Sequence, residues 1–392
     1  MRPYSVRLVA AAALASLVGV APMLDAHLRA VGLLLRSLST GTGGAEGLAE
    51  LGRRPVTEEI SRAPGVGRLR WYQPSVPAAA PPLLVVHGVH PEGIDEARLR
   101  SFARAMAEAG VLVATPEVTP LTRFRIDRRA IRIIGRAAAH LADRSGRPRV
   151  GVLGISFAGG LALIAAGSSE HREAIGYVVA LGAHHDVARI ARWYVGREIS
   201  GPDGERPPVA PHPYGAGVLL ENHLDRFLPP EDVAAARRVL RASLLGREDA
   251  SERRMRALSP EGRRALSRIL DRRKDDAVGD ELLEALREDR RRVRAVSPAG
   301  RLAGVRVPVY LVHGTGDPIV PSTETRWLAK ELSDDVLEAA MVTPLFRHAE
   351  LEGTPPLSDQ LALVHVIARI LREGESLPRT GPVDLPTGRP RR

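Results

Sequence analysis

From Val56 onward the apolar positions follow two alternating rhythms. Val56 to Ile60 and Val66 to Tyr72 read as two short strands. After the Pro/Ala stretch from Pro74 to Pro82 comes Leu83 to Val86, a continuous apolar run that ends at His87-Gly88. Asp95 suits the cap of a helix whose apolar residues Leu99, Phe102, Ala103 and Met106 recur at helical spacing, and Gly110 stops it before a strand at Val111 to Ala114. Asp127 opens a second helix through Ile131, Ile134 and Leu141, which Gly146 ends. Val150 to Leu153 and Tyr177 to Leu181 are again short and uniformly apolar. Strands apolar on both faces, separated by amphipathic helices, predict the α/β class: a mostly parallel central sheet with helices on both faces.

Between Val187 and Val296 the strand rhythm disappears and the chain becomes helical and charged, with Pro229-Pro230 and Ser259-Pro260 marking helix starts. Strands resume at Val309 to Val312 and Leu337 to Val342, and a last helix runs from Ser358 to about Leu371 with Gly374 beyond it. The pattern predicts an N-terminal apolar segment over 1–36, a linker over 37–55 containing the Gly-rich stretch Gly41 to Gly47, and a core built from 56–186 and 297–373. A helical cap is inserted over 187–296, and a tail over 374–392, rich in Pro, Gly and Arg, is expected to be disordered. At 392 residues the chain exceeds the roughly 250 residues that one core usually supports, which agrees with an insertion.

After Arg2 and Arg7 the run Leu8 to Leu24 carries no charge until Asp25. Its seventeen residues lie near the lower limit for a membrane span, and no good cleavage site follows. Membrane association or export through this segment is expected, with a cytoplasmic protein as the alternative if the segment packs on the fold. The formal charge of +10 is carried almost wholly by arginine, since Lys274 and Lys330 are the only lysines, and it is interspersed with acidic residues along helices. With aromatics at 4% and no basic block interleaved with them, nucleic-acid binding is not expected. The absence of cysteine excludes disulfides and thiolate chemistry.

The sharpest chemical signal is Gly154-Ile155-Ser156-Phe157-Ala158-Gly159-Gly160, placed between an apolar strand and a helical segment. This is the setting of a nucleophile elbow, in which small neighbours let strand and helix backbones pass closely; Ala158 stands where a second glycine is usual. A serine needs a base and an orienting acid. Asp317 follows the strand Val309 to Val312, and His348 follows some thirty residues later, giving the order Ser, Asp, His. Asp186 is a second candidate acid that also suits a helix cap. For an oxyanion, the backbone N–H of Phe157 is one expected donor and that of Val89 or His90, just after Gly88, the other. His184, His185, His212 and Tyr214 are candidates for the pocket between sheet and cap. His87, His90, His184 and His185 show no recognised ligand spacing, so neither metal nor cofactor is expected.

With these residues the chain resembles the α/β-hydrolase superfamily over roughly Val56 to Leu371 apart from the cap. The stretch Val85 to Gly93 and the elbow are similar to those of uncharacterised bacterial members. The resemblance implies an esterase, lipase or dienelactone-hydrolase-like serine hydrolase, with Ser156, Asp317 and His348 at the triad positions and Phe157 at the oxyanion position. Its partner would be a small or lipid-like ester. An acyltransferase using the same triad, and a membrane-tethered binding protein without catalysis, are the competing readings.

Overall fold

The computed structural model describes residues 23–34, 53–76, 80–270, 276–347, 350–351 and 356–385. Eight strands, β1 (Val56–Ala63), β2 (Gly67–Pro74), β3 (Pro82–Val86), β4 (Leu112–Pro116), β5 (Val150–Ile155), β6 (Ile175–Leu181), β7 (Val309–Gly314) and β8 (Leu337–Thr343), form one sheet in the order β1-β2-β4-β3-β5-β6-β7-β8. The first two make an antiparallel hairpin, and β2 also runs antiparallel to β4. From β4 through β8 every pairing is parallel. The uniformly apolar runs read from the sequence are the central strands, and their side chains alternate between two cores. Leu84, Val86, Val152, Val178, Ala180 and Leu311 face one core, while Leu83, Val85, Leu153, Tyr177, Val179 and Tyr310 face the other.

The second core is covered by α1 (residues 23–34), α2 (Ala97–Glu108) and the long C-terminal helix, and the first by α3 (Arg128–Ser145) and α4 (Phe157–Gly167). Asp127 caps α3 as expected, accepting the Arg129 N–H at 2.8 Å, and Gly146 closes it with φ 64°. The expectation for α2 needs correction. Glu96, not Asp95, is its cap and accepts the Leu99 N–H at 2.7 Å, because Asp95 is drawn into ion pairs with Arg68 and Arg70.

Between β6 and β7 the described residues contain helices and no strand: α5 (Val187–Tyr194), α6 (Pro213–Glu221), α7 (Val233–Leu244), α8 (Glu248–Met255), α9 (Pro260–Leu270), α10 (Asp276–Glu288) and α11 (Arg290–Val296). Their apolar faces join the first core through Ile190, Leu219, Val239, Leu266, Leu282 and Val296. After β7 come α12 (Thr323–Glu331), β8, the two-residue strands β9 (Phe346–Arg347) and β10 (Glu350–Leu351), and α13 (Leu357–Ser376).

Helix α13 runs past Gly374, which the sequence pattern had placed beyond its end. A Cβ there would lie 2.9 Å from Pro81 Cβ and 3.0 Å from the Tyr177 hydroxyl, so glycine serves close packing rather than termination. The expectation of disorder from 374 is likewise corrected as far as residue 385. The N–H groups of Thr380 and Gly381 both donate to the Gly146 carbonyl at 3.0 Å, that of Asp384 donates to Arg144 at 2.9 Å, and Leu377 is buried. Most of the run Leu8 to Leu24 lies outside the described residues. Among the described residues no helix is long and apolar enough to cross a membrane.

Candidate active site

Ser156 stands at the carboxyl end of β5 with φ 57° and ψ −131°. Among the described residues only Phe124 and Ser156 hold a positive φ without being glycine. Such a conformation costs about 1–3 kcal/mol and persists only where the surroundings impose it. The surroundings are visible: the Ser156 N–H donates to Leu181 on β6 at 2.7 Å, and its carbonyl accepts the Gly159 N–H at 2.9 Å in the first turn of α4. Gly154 is required by close approach, since a Cβ would lie 2.5 Å from the Ala158 carbonyl oxygen. Ala158 in place of the usual second glycine is accommodated, fully buried in the core. Phe157 opens α4, where a backbone N–H has no partner inside the helix and carries the positive end of the dipole.

Asp317 lies beyond β7, two strands from β5 in the sheet, so the two strand ends stand about 10 Å apart at ordinary strand spacing. Its carboxylate is fully buried; Oδ1 accepts the N–H groups of Ile319 at 2.8 Å and Val320 at 2.9 Å. His348 lies outside the described residues. The chain leading to it is placed, however. The Thr315 N–H donates to the Thr343 carbonyl at 2.9 Å, and a Cβ on Gly314 would lie 2.1 Å from the Phe346 carbonyl oxygen, so residue 346 is pressed against the loop that carries Asp317.

The loop after β3 closes the other side of Ser156. A Cβ on Gly88 would lie 3.3 Å from Ser156 Cβ and 3.9 Å from its Oγ. His87 is buried and holds this loop: Nδ1 donates to the Gly88 carbonyl at 2.7 Å and Nε2 accepts the Val118 N–H at 3.0 Å. Burial pushes the ring down to about 4, so it is neutral in this tautomer. His90, half-buried and also lowered by burial, accepts the Glu92 N–H at 3.3 Å.

A sheet ordered β1-β2-β4-β3-β5-β6-β7-β8, with a strained serine after β5 and an acid after β7, decides the architecture. The fold is that of the α/β-hydrolase superfamily. No family model matches the chain, and no curated protein is similar to it in sequence. Solved structures similar to it include the 2-hydroxy-6-oxo-6-phenylhexa-2,4-dienoate hydrolase BphD from Rhodococcus sp. strain RHA1, at 17% identity and TM-score 0.40 over 74% of this chain and 91% of that one. Others are an esterase from the archaeon Pyrobaculum calidifontis, at 16% identity and TM-score 0.41 over 88% and 96%, and Est1E from Butyrivibrio proteoclasticus, at 13% identity and TM-score 0.41 over 81% and 98%.

The four pocket candidates separate into two groups. His184 is fully buried behind the elbow helix, its ring 4.9 Å from that of Phe157 and its Nε2 donating to Val296 at 2.8 Å; burial lowers it to about 4. His185 belongs to an ionic joint. Its Nε2 lies 2.7 Å from a Glu331 oxygen and its Nδ1 2.9 Å from the Arg189 guanidinium. Both histidines are therefore held in contacts between the helices inserted after β6 and the rest of the fold, and neither faces an open pocket. His212 and Tyr214, at the start of α6, by contrast contact the loops of the site. The His212 N–H donates to Pro318 beside Asp317 at 2.7 Å, with its exposed side chain capping α6, and the Tyr214 hydroxyl donates to the Val89 carbonyl at 2.6 Å.

Asp186, the rival acid, caps α5 by accepting the N–H groups of Ala188 at 2.7 Å and Arg189 at 3.3 Å. Among the described residues no three His, Asp or Glu side chains are grouped so as to hold a metal ion. Sequence reading overlooked His313, a fully buried polar residue in an otherwise apolar strand, four positions before Asp317. It also overlooked Glu324 and Glu331 on α12. Glu324 accepts the N–H groups of His185 and Asp186, each at 2.8 Å, and Arg189 Nε at 2.7 Å. Glu331 accepts those of Gly300 and Arg301 at 3.0 Å. Burial acts to raise the Glu331 carboxyl, yet the Gly300 and Leu302 N–H groups and the His185 ring hold it below its ordinary value. One helix thus grips both junctions of the inserted segment.

Proposed function

We propose that the chain is a serine hydrolase that cleaves a carboxylic ester or a related acyl bond. The observation that supports it most is the strained backbone of Ser156 at the strand-to-helix turn, with a buried, doubly hydrogen-bonded Asp317 on the same edge of the sheet. In this reading Ser156 Oγ attacks the carbonyl carbon as His348 takes its proton, and Asp317 stabilises the resulting imidazolium. The N–H groups of Phe157 and of Val89 or His90 receive the oxyanion. Collapse expels the alcohol, protonated by His348, and water activated by the same histidine releases the acid. No cofactor enters.

The test is a fluorophosphonate that phosphonylates activated serines, applied to the purified protein and to Ser156→Ala, with the adduct mapped by mass spectrometry and ester turnover followed in parallel. Labelling confined to Ser156, and its loss with turnover in the variant, is expected. A folded wild-type protein that takes no label and turns over no ester refutes the assignment.

Membrane association is a separate part of this reading. Met23 and Leu24, the last residues of the apolar run, and Leu28 are exposed on α1, and Leu357 and Leu361 are exposed on α13, which α1 meets where the His27 and His365 rings lie 5.5 Å apart. A bilayer entered by residues 8–24 would meet these leucines. Flotation of the full chain with phospholipid vesicles is expected, and recovery in the lipid-free fraction would overturn this part alone.

A further inference from the structure

We infer that Tyr214 is a positioning residue for the oxyanion site, holding the loop after β3 from the cap side and so linking the seating of the cap to catalysis. The inference rests on the hydrolase reading above.

Two successive peptide groups carry the argument. Among the described residues every peptide bond is trans, so each N–H points opposite to the carbonyl of its own peptide plane. The Gly88 carbonyl is turned toward His87 by the 2.7 Å bond from Nδ1, which aims the Val89 N–H away from the His87 ring. The Val89 carbonyl is turned toward the cap by the 2.6 Å bond from the Tyr214 hydroxyl, which aims the His90 N–H away from the cap. The two candidate donors are therefore oriented through their carbonyls, one by a core histidine and one by a cap tyrosine. Gly88, immediately before them, lies against Ser156. Burial raises the Tyr214 phenol, so at neutral pH it keeps its proton and remains a donor.

The tyrosine is itself anchored. Its N–H donates to His212 Nδ1 at 3.1 Å, its ring lies 6.4 Å from that of Phe124, and Asn222 at the other end of α6 donates to the Phe124 carbonyl at 2.9 Å. The acid loop is held from the same side, through the His212 N–H on Pro318 and the Tyr194 hydroxyl on the Ile319 carbonyl at 2.5 Å. Oxyanion donors act because they are already aimed when charge develops. A loop freed from Tyr214 must reorganise during each turnover, which lowers the rate of the acyl step more than it weakens ester binding.

The experiment compares wild type, Tyr214→Phe and Ser259→Ala. For each, kcat and KM are measured with a p-nitrophenyl acyl ester, together with the inhibition constant of a trifluoromethyl ketone, whose adduct on Ser156 places an oxyanion in the same site. For Tyr214→Phe, kcat falls about tenfold and the ketone weakens by the same factor, with KM little changed. Ser259→Ala removes the bonds from the Ser259 hydroxyl to Asp232 and Gly262, loosens the cap between α7 and α9 without touching α6 or Val89, and keeps kcat. Wild-type kcat and ketone affinity in Tyr214→Phe would overturn the inference. So would an equal loss in Ser259→Ala, since the effect would then be general slackening of the cap. Neither result would touch the hydrolase reading if Ser156 of the wild type is labelled; an inert, unlabelled wild type would remove both.

Discussion

His313 Nε2 lies 3.2 Å from Asp317 Oδ2 while donating to the Val320 carbonyl at 2.9 Å, and both side chains are fully buried. The other ring nitrogen of His313 lies 2.6 Å from the Thr325 hydroxyl on α12. With the N–H groups of Ile319 and Val320 on Oδ1, the carboxylate is confined by the strand before it, the loop after it and the helix beyond. His313→Leu strands the Val320 carbonyl and the Thr325 hydroxyl without partners. It is expected to cost about 3 kcal/mol of stability and to lower kcat as Asp317 loosens. Urea unfolding and ester turnover on the same preparation check this; an unchanged midpoint would show that the ring holds nothing.

Gly88 should be intolerant of any side chain for a reason other than stability. A methyl group there would sit 3.3 Å from Ser156 Cβ and 3.4 Å from the Ile155 carbonyl oxygen, crowding Ser156. Gly88→Ala is expected to reduce kcat/KM by about 100-fold, as small displacements of reacting groups do, while the thermal midpoint moves little. A fully active Gly88→Ala protein would mean that the loop yields freely.

Acid should weaken the fold through two buried histidines. Burial holds His87 and His184 near 4, against an ordinary value of 6.5. The unfolded chain takes up both protons near pH 6.5 and the folded chain only near pH 4. Stability is therefore fully present above pH 6.5 and lost as the pH falls through that window, by about 3 kcal/mol per histidine. Denaturant unfolding at pH 7.5 and pH 4.5 measures the loss. His184→Phe, which removes one titrating group and keeps a ring beside Phe157, is expected to flatten the slope by roughly half; the wild-type slope in that variant would contradict the account.

The joint on α12 gives a prediction about the inserted segment. Glu324 is a fully buried carboxylate paired with Arg189 and two junction N–H groups. Glu324→Ala leaves these donors without an acceptor and is expected to cost about 3–5 kcal/mol. Hydrogen exchange would show the loosening first at His185 and Asp186, where α5 begins. Protection unchanged at these two amides would mean that the junction does not depend on Glu324.

The strands, the tight strand-to-helix turn at Ser156, the loop position of Asp317 after β7 and the caps at Asp127 and Asp186 were legible in the sequence because each depends on residues near one another in the chain. A continuous apolar run reports burial on two faces, and small residues around a serine report a tight turn. Where sequence reading misplaced a residue, the deciding partner was remote. Asp95 was taken from its capping role by Arg68 and Arg70, and Gly374 was read as a stop because its neighbours Pro81 and Tyr177 come from other elements. His184 and His185 read alike as adjacent polar residues. Only tertiary structure sent one to Val296, 112 positions away, and the other to Glu331, 146 positions away. Tyr214 reaches Val89 across 125 positions. Hydrophobic pattern sets which segments are buried, but a hydrogen bond is a matter of direction and a few tenths of an ångström, and those are fixed when the packed elements meet.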